Sequence, residues 1–95
     1  AKYAHDADTM FRIVARRNKL LGLWAAERMK LSPEESDSYA KAVVQADFEE
    51  AGDEDVIRKV LGDLVSAGVD VSEGDVRAAL EAKQVEARRA LMGEA

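Results

Sequence analysis

The chain has no cysteine, one proline and one histidine, and aromatic residues make up only 5% of it. Without cysteine it has neither a disulfide framework nor a thiol nucleophile, and it suits a reducing cytoplasm. Apolar residues make up 47% of the sequence. Because aromatic and turn-forming residues are scarce, this composition favours helices. We expect one all-α domain covering residues 1–95, with a single core.

Long apolar runs are also absent. The longest run without a charge is Leu20 to Ala26, which is far short of the roughly 20 residues that a membrane span needs. No signal peptide is visible. The sequence therefore predicts a soluble protein that does not itself span a membrane.

Charge is unevenly distributed along the chain. The net charge of −5 argues against nucleic-acid binding, which needs a basic surface. Residues 1–30 carry seven cations and three acids, whereas residues 31–55 carry one cation and nine acids. Two explanations remain open: the basic first helix packs beside the acidic second with their charges lining one groove, or the basic cluster is a docking surface.

Four helices follow from the positions of glycine, proline and capping residues. The first runs from about Lys2 to Met29, with Gly22 as its only weak point. A capping box of Ser32, Pro33 and Glu35 starts the second. The second helix should reach Ala51, where Gly52 can adopt a left-handed stop and Asp53 can cap the third helix.

The third and fourth helices have equally clear limits. Gly68 ends the third and Ser72 caps the fourth, which has acids in its first turn and arginines near its end. The third helix carries the cleanest apolar stripe, which predicts that it is the most buried: Val56, Ile57, Val60, Leu61, Leu64 and Val65.

Length separates the first helix from the others. It would span roughly 40 Å, against roughly 20–30 Å for each of the rest, at about 1.5 Å per residue. Residues 1–8 are polar or small and should form the uncovered end, which would fray when free. We therefore expect a four-helix bundle with a long N-terminal helix projecting beyond the core.

Catalytic and metal sites find little support in this sequence. His5 lies at the frayed end and is interpreted as a plain exposed side chain. A calcium loop beginning at Asp53 would have Arg58 where glycine is required, and one beginning at Asp70 would have Gly74 one place early. A Walker-type phosphate loop is missing. We expect neither an enzyme nor a bound cofactor.

A nucleotide contact is the remaining small-molecule hypothesis. Arg16 and Lys19 could hold the phosphates of ATP or ADP while Trp24 stacks on the base. The alternative is that the cations are solvated and that Trp24 belongs to the core. A generic helical adaptor is a third interpretation. Failure to bind the partner that the family resemblance implies would favour it.

Two stretches carry a family resemblance that spans nearly the whole chain. In the first, residues 16–27, a basic cluster runs without a break into an apolar block that contains the only tryptophan, Trp24. The second is the acidic run over residues 46–56, Ala-Asp-Phe-Glu-Glu-Ala-Gly-Asp-Glu-Asp-Val. Together they closely resemble the alphaproteobacterial inhibitors known as the zeta subunit of F-type ATP synthase.

The resemblance implies a function, a partner and a location. In the family, a four-helix bundle carries an N-terminal segment that enters the catalytic interface of the ATP synthase head, formed by the alpha, beta and central-stalk gamma subunits. The segment blocks rotation in the ATP-hydrolysing direction. This chain would then be cytoplasmic and peripheral to the inner membrane. Family members begin with further residues upstream, so the resemblance implies that the tip of the segment precedes Ala1.

Site residues carried over from the family lie in an inhibitory segment, residues 1–17, and the bundle would comprise residues 18–95. The expected partner-binding residues are Lys2, Tyr3, His5, Asp6, Asp8, Met10, Phe11, Arg12, Arg16 and Arg17.

Overall fold

The computed structural model describes the backbone of residues 2–49 and 52–91 and the side chains of residues 9–47 and 52–91. The helices are α1 (Lys2–Arg28), α2 (Pro33–Glu49), α3 (Asp53–Ser66) and α4 (Glu73–Leu91). The expected all-α, four-helix fold is confirmed, and these described residues contain no strand. The projection of the N-terminal end stays a prediction.

Two reciprocal capping boxes begin α2 and α4; the sequence predicts the first box and, at α4, the Ser72 cap. The backbone N–H of Glu35 donates to Ser32 Oγ at 3.1 Å, and the N–H of Ser32 donates to Glu35 Oε1 at 3.0 Å. The hydrogen bond from the Ser32 backbone holds the pKa of Glu35 below its ordinary value. At α4 the same two bonds join Ser72 and Asp75 at 3.2 and 3.0 Å. Each box satisfies two helix-end N–H groups that would otherwise lack partners.

Matching hydrogen-bonded turns end α1 and α3. After α3, the N–H groups of Gly68 and Val69 bond the carbonyls of Val65 and Leu64, and Gly68 has φ +81°. The same pattern after α1 joins residues 30 and 31 to the carbonyls of residues 27 and 26. The left-handed position is held there by Lys30, at φ +59°. This turn type favours glycine, so Lys30 occupies a strained position that the sequence does not reveal.

Lys30→Gly should therefore stabilise the protein by about 0.5–1 kcal/mol, because glycine adopts a positive φ without the steric cost. Urea unfolding followed by circular dichroism measures the change. Gly68→Ala is the matched control, since it places a side chain at the same position of the equivalent turn and should destabilise by about 1 kcal/mol. Equal stability of Lys30→Gly and the parent protein would show that the turn after α1 carries no strain.

The connection between α2 and α3 differs from the expectation. Gly52 has φ +129° and ψ 141°, a region open to glycine, but it is itself the N-terminal cap of α3. Asp53 is the first helical residue, and no side chain caps this end. The prediction that Asp53 caps the third helix is wrong, because its carboxylate bonds Arg17 of α1 instead.

α1 and α3 each contact the other three helices, and the most extensive contacts in the bundle are those of α1 with α2 and α4. The stripe on α3 does face the core: four of its members are buried, Leu61 is partly buried, and Val65 is 57% exposed. The expectation that α3 is the most buried helix stays a prediction, because the described side chains of α1 begin only at residue 9. The core cluster is aliphatic and consists of Leu21, Ala25, Val43, Val56, Ile57, Val60, Leu64, Val76 and Leu80.

The interface between α1 and α2 is apolar and very close. A Cβ added to Gly22 would lie 2.7 Å from the Cα of Ala40, so only glycine fits between the two backbones. Within the described residues no ion pair joins these helices, although the charge distribution suggested a shared groove of opposite charges. The close crossing explains the difference around Gly22, because it leaves no room there for a charged side chain, while the acids Glu34, Glu35 and Asp37 are exposed.

Polar contacts instead join α3 to its neighbours. The Tyr39 hydroxyl of α2 donates to Asp63 Oδ2 at 2.8 Å, and burial, followed by this bond, raises the pKa of Tyr39. Arg77 of α4 makes two bonds to the carboxylate of Glu54, at 2.9 and 2.6 Å. The hydrogen bonds from Arg77 hold the pKa of Glu54 below its ordinary value. These contacts fix α3 against both α2 and α4.

Candidate partner-binding surface on the first helix

Residues 10–19 of α1 expose apolar and basic side chains side by side. Met10 is 48% exposed and Phe11 is 56% exposed. Arg12, Arg16 and Lys19 are also exposed. Their spacing of four and three residues places the three cations along one side of the helix. Exposed large apolar groups beside exposed cations are typical of surfaces that bind another protein.

Half of the expected partner-binding residues lie outside the described side chains: Lys2, Tyr3, His5, Asp6 and Asp8. The structure describes their backbone as the start of α1. Their role in binding stays a prediction.

Arg17 lies in a different environment from its neighbour Arg16. It is 2% exposed, and its guanidinium is fully engaged within the chain. Nε and Nη2 donate to Asn18 Oδ1 at 3.1 and 3.0 Å, and Nη1 donates to Gln84 Oε1 of α4 at 3.2 Å. Nη2 also lies 3.0 Å from Asp53 Oδ1 at the start of α3. The sequence placed Arg17 among the exposed cations. In the structure its guanidinium is buried and bonds residues of this chain.

Ile13 shows how far the fold covers α1. It is only 2% exposed, although it lies within the expected inhibitory segment. Ala87 of α4 is fully buried as well. The covered part of α1 therefore reaches at least one turn further toward the N-terminus than residue 17.

Trp24 lies at the edge of the core and not within it. It packs against the aliphatic cluster but is only partly buried, and one face of its ring carries the guanidinium of Arg28, 4.2 Å from the ring centre. The ring also lines an open groove of about 460 Å³. The other residues that line this groove are Leu20, Leu23, Glu27, Leu31, Pro33, Ser36 and Lys83.

The three candidate nucleotide contacts do not form one group. Arg16 and Lys19 are exposed on one side of α1, whereas Trp24 faces the groove. Helical geometry puts Trp24 about 140° around the axis from Lys19, so their side chains point in different directions. The cation that does meet the indole is Arg28, which the sequence did not single out.

Asn18 and Gln84 are the structurally important residues that sequence reasoning missed. Asn18 is fully buried, and its Nδ2 has no hydrogen-bond partner within the described residues. A signal was present, because residues 17 and 18 fall on the side of α1 that also carries the apolar Leu21 and Ala25. Because Arg17 and Asn18 are polar, their position on this side of α1 was not interpreted as burial.

Two further classes of site were sought among the described residues. No group of three or more histidine, cysteine, aspartate or glutamate side chains is arranged to hold a metal ion there. None of the helices in that part of the chain combines the length and apolarity needed to cross a bilayer.

The fold defines a small all-α protein of four helices. The family described as ATPase inhibitor subunit zeta matches residues 1–90, and the chain belongs to this family. It is therefore an ATPase inhibitor, a regulator and not an enzyme, and its partner is an ATP synthase.

A solved structure supports the fold. The chain is 52% identical to a protein whose structure was determined in solution by NMR, with a TM-score of 0.76. The similarity covers 90% of this chain and 96% of that one. No curated protein matches the chain.

Proposed function

We propose that the protein inhibits ATP hydrolysis by the bacterial F-type ATP synthase by inserting the N-terminal end of α1 into the catalytic interface of the head. The insertion blocks rotation in the hydrolytic direction. Membership of the ATPase inhibitor subunit zeta family is the observation that carries this proposal. The half-exposed Met10 and Phe11 support it, because they offer apolar surface to a cleft between subunits.

The contacts are proposed to lie on the alpha, beta and gamma subunits of the head. Apolar residues of α1 would enter the cleft, while Arg12 and Arg16 would meet acidic groups at its rim. The remaining contact residues are Lys2, Tyr3, His5, Asp6 and Asp8. The rest of the bundle would remain outside the head and hold the base of the inserted helix. The protein would thus be peripheral to the inner membrane.

Deletion of residues 1–8 tests the inserting segment. We expect inhibition of ATP hydrolysis by the isolated synthase head to fall by at least about tenfold, while the melting temperature changes little, because the buried residues among the described side chains begin at Ile13. The inhibitor concentration that halves the ATPase activity measures the first effect. Thermal melting measures the second.

Alanine variants of similarly exposed residues give the control. Met10→Ala and Phe11→Ala should weaken inhibition, whereas Val65→Ala on α3, where the side chain is 57% exposed, should leave it unchanged. Full inhibition by the truncated protein would contradict the inserting mechanism.

The alternative function is an adenine-nucleotide-binding regulatory module. The separation of Lys19 from Trp24 does not favour it. Trp24 fluorescence provides a direct test, because a nucleotide that stacks on the only indole would alter its emission. Saturable quenching by ATP or ADP would support this alternative.

A further inference from the structure

The side of α1 that faces the core contains a polar layer between apolar residues. Arg17 is 2% exposed and Asn18 is 0% exposed. Ile13 and Val14 lie one helical turn before them, and Leu21 lies one turn after Arg17. Ile13 and Leu21 are buried, and Val14 is partly buried. The polar pair therefore interrupts a face that is otherwise apolar.

An apolar helix face does not by itself fix how far one helix is shifted along another. Residues four positions apart occupy nearly equivalent places, so a shift by one turn, about 5.4 Å, can bury a similar apolar surface. α1 and α2 would shift together, because a tight turn joins them and their backbones cross closely at Gly22. The alignment that apolar packing leaves open is that of these two helices with α3 and α4.

The exposed apolar residues of α1 favour a shifted alignment. α3 begins at Asp53, whose carboxylate lies 3.0 Å from Arg17. A shift of one turn toward the N-terminus of α1 would bring the start of α3 to the level of Ile13. It would then be one turn closer to Met10 and Phe11, which are 48% and 56% exposed. Covering large apolar side chains is favourable, so these two residues stabilise such a shift.

Arg17 opposes the same shift. Its Nη1 donates to Gln84 Oε1 of α4 at 3.2 Å, and its Nη2 contacts Asp53 of α3. After a shift of one turn, Arg17 would lie where Leu21 now lies, within the aliphatic cluster. A buried guanidinium that has lost its partners is strongly unfavourable. Only the observed alignment therefore satisfies Arg17.

Stability alone does not account for the polar layer. Asn18 accepts two hydrogen bonds from Arg17 through Oδ1, at 3.1 and 3.0 Å. Its Nδ2, however, is buried without a partner within the described residues. Buried polar groups of this kind commonly stabilise no more than apolar replacements do, but they can specify one arrangement.

We propose that Arg17, Asn18 and Gln84 set the alignment of α3 and α4 along α1 and α2, by making a shift of one turn unfavourable. The same layer keeps Met10 and Phe11 exposed. This alignment role does not rest on the proposed function. The hydrogen bond from Tyr39 to Asp63 also joins the two pairs of helices, but it is only partly buried, so water can replace it after a shift.

The alignment can be measured in the free protein. Because the chain has no cysteine, spin labels attach only to cysteines introduced at Lys19 of α1 and Val65 of α3, which are both exposed. We expect one narrow distance distribution between the labels in the parent protein. An apolar layer, Arg17→Met with Asn18→Leu and Gln84→Leu, should add a second population, displaced by up to about 5 Å. Its melting temperature should be equal or higher.

Two single variants are the controls for the apolar layer. Gln84→Glu keeps an oxygen that accepts from Arg17, so it should retain one distance population. Gln45→Leu makes the change from glutamine to leucine at an exposed position of α2, outside the polar layer. It should also retain one population.

A single population in the apolar-layer variant would overturn the proposal, because apolar packing or the bond from Tyr39 to Asp63 would then suffice to set the alignment. Loss of cooperative melting in that variant would equally overturn it, since the polar layer would then be required for the fold itself. The measurement needs no synthase, so its result is independent of whether truncation of residues 1–8 weakens inhibition.

Discussion

Gly22→Ala should destabilise the protein by about 2 kcal/mol, although alanine is the better helix former by about 1 kcal/mol. The added Cβ would lie 2.7 Å from the Cα of Ala40 and 3.2 Å from Cγ2 of Val43. The nearest atom belongs to the backbone, so α1 and α2 must separate to make room. That movement disturbs the interface along its length, because the core is closely packed.

Gly62→Ala is the matched control for this substitution. Gly62 lies within α3, and a Cβ added there would meet no atom within 4 Å. It should therefore stabilise by about 0.5–1 kcal/mol through helix propensity alone. Urea unfolding should give the two variants equal slopes. Their midpoints should then correspond to a difference of about 3 kcal/mol in the free energy of unfolding. Equal stabilisation by both would show that α1 and α2 do not cross closely at Gly22.

Leu21→Ala should lower the free energy of unfolding by about 3–4 kcal/mol, and Trp24→Ala by about 2 kcal/mol. This order is the reverse of the order of side-chain size. Leu21 is fully buried within the aliphatic cluster, so its removal leaves a closed cavity. Trp24 borders an open groove, so its removal widens a space that solvent already reaches. Unfolding must be followed by circular dichroism, since one variant lacks the indole.

Leu23→Ala completes the comparison, because Leu23 is partly buried and lines the same groove as Trp24. It should cost no more than about 1 kcal/mol. If Trp24→Ala proved the most destabilising of the three, the indole would have to be a central core residue, as the sequence suggested, and the groove would have to be closed in solution.

The ends of the helices were largely predictable because local chemistry sets them. Ser32 with Glu35 forms the expected capping box, and Gly68 takes the expected positive φ. These features need only residues a few positions apart. Lys30 shows the limit of such reasoning, since its left-handed conformation comes from a turn that the sequence marks with no glycine.

The candidate surface on α1 was predictable only in part. Met10, Phe11, Arg12 and Arg16 are exposed, and their role in binding a partner stays a prediction. The burial of Arg17 did not follow, because adjacent cations look alike in a sequence while helical geometry turns them about 100° apart. Only the positions of Asp53 and Gln84 show which arginine is held inside.

The sequence by itself determined the all-α class, the four helices and their order, and the family. These properties depend on local signals and on residue patterns that are visible in the sequence alone. The tertiary structure decided which helices make the most extensive contacts, why Gly22 must be glycine, and which charges are used within the fold. Those properties arise from contacts between residues far apart in the chain, such as Gly22 with Ala40 and Arg17 with Gln84. Such contacts depend on how the helices pack, and no local pattern specifies that packing.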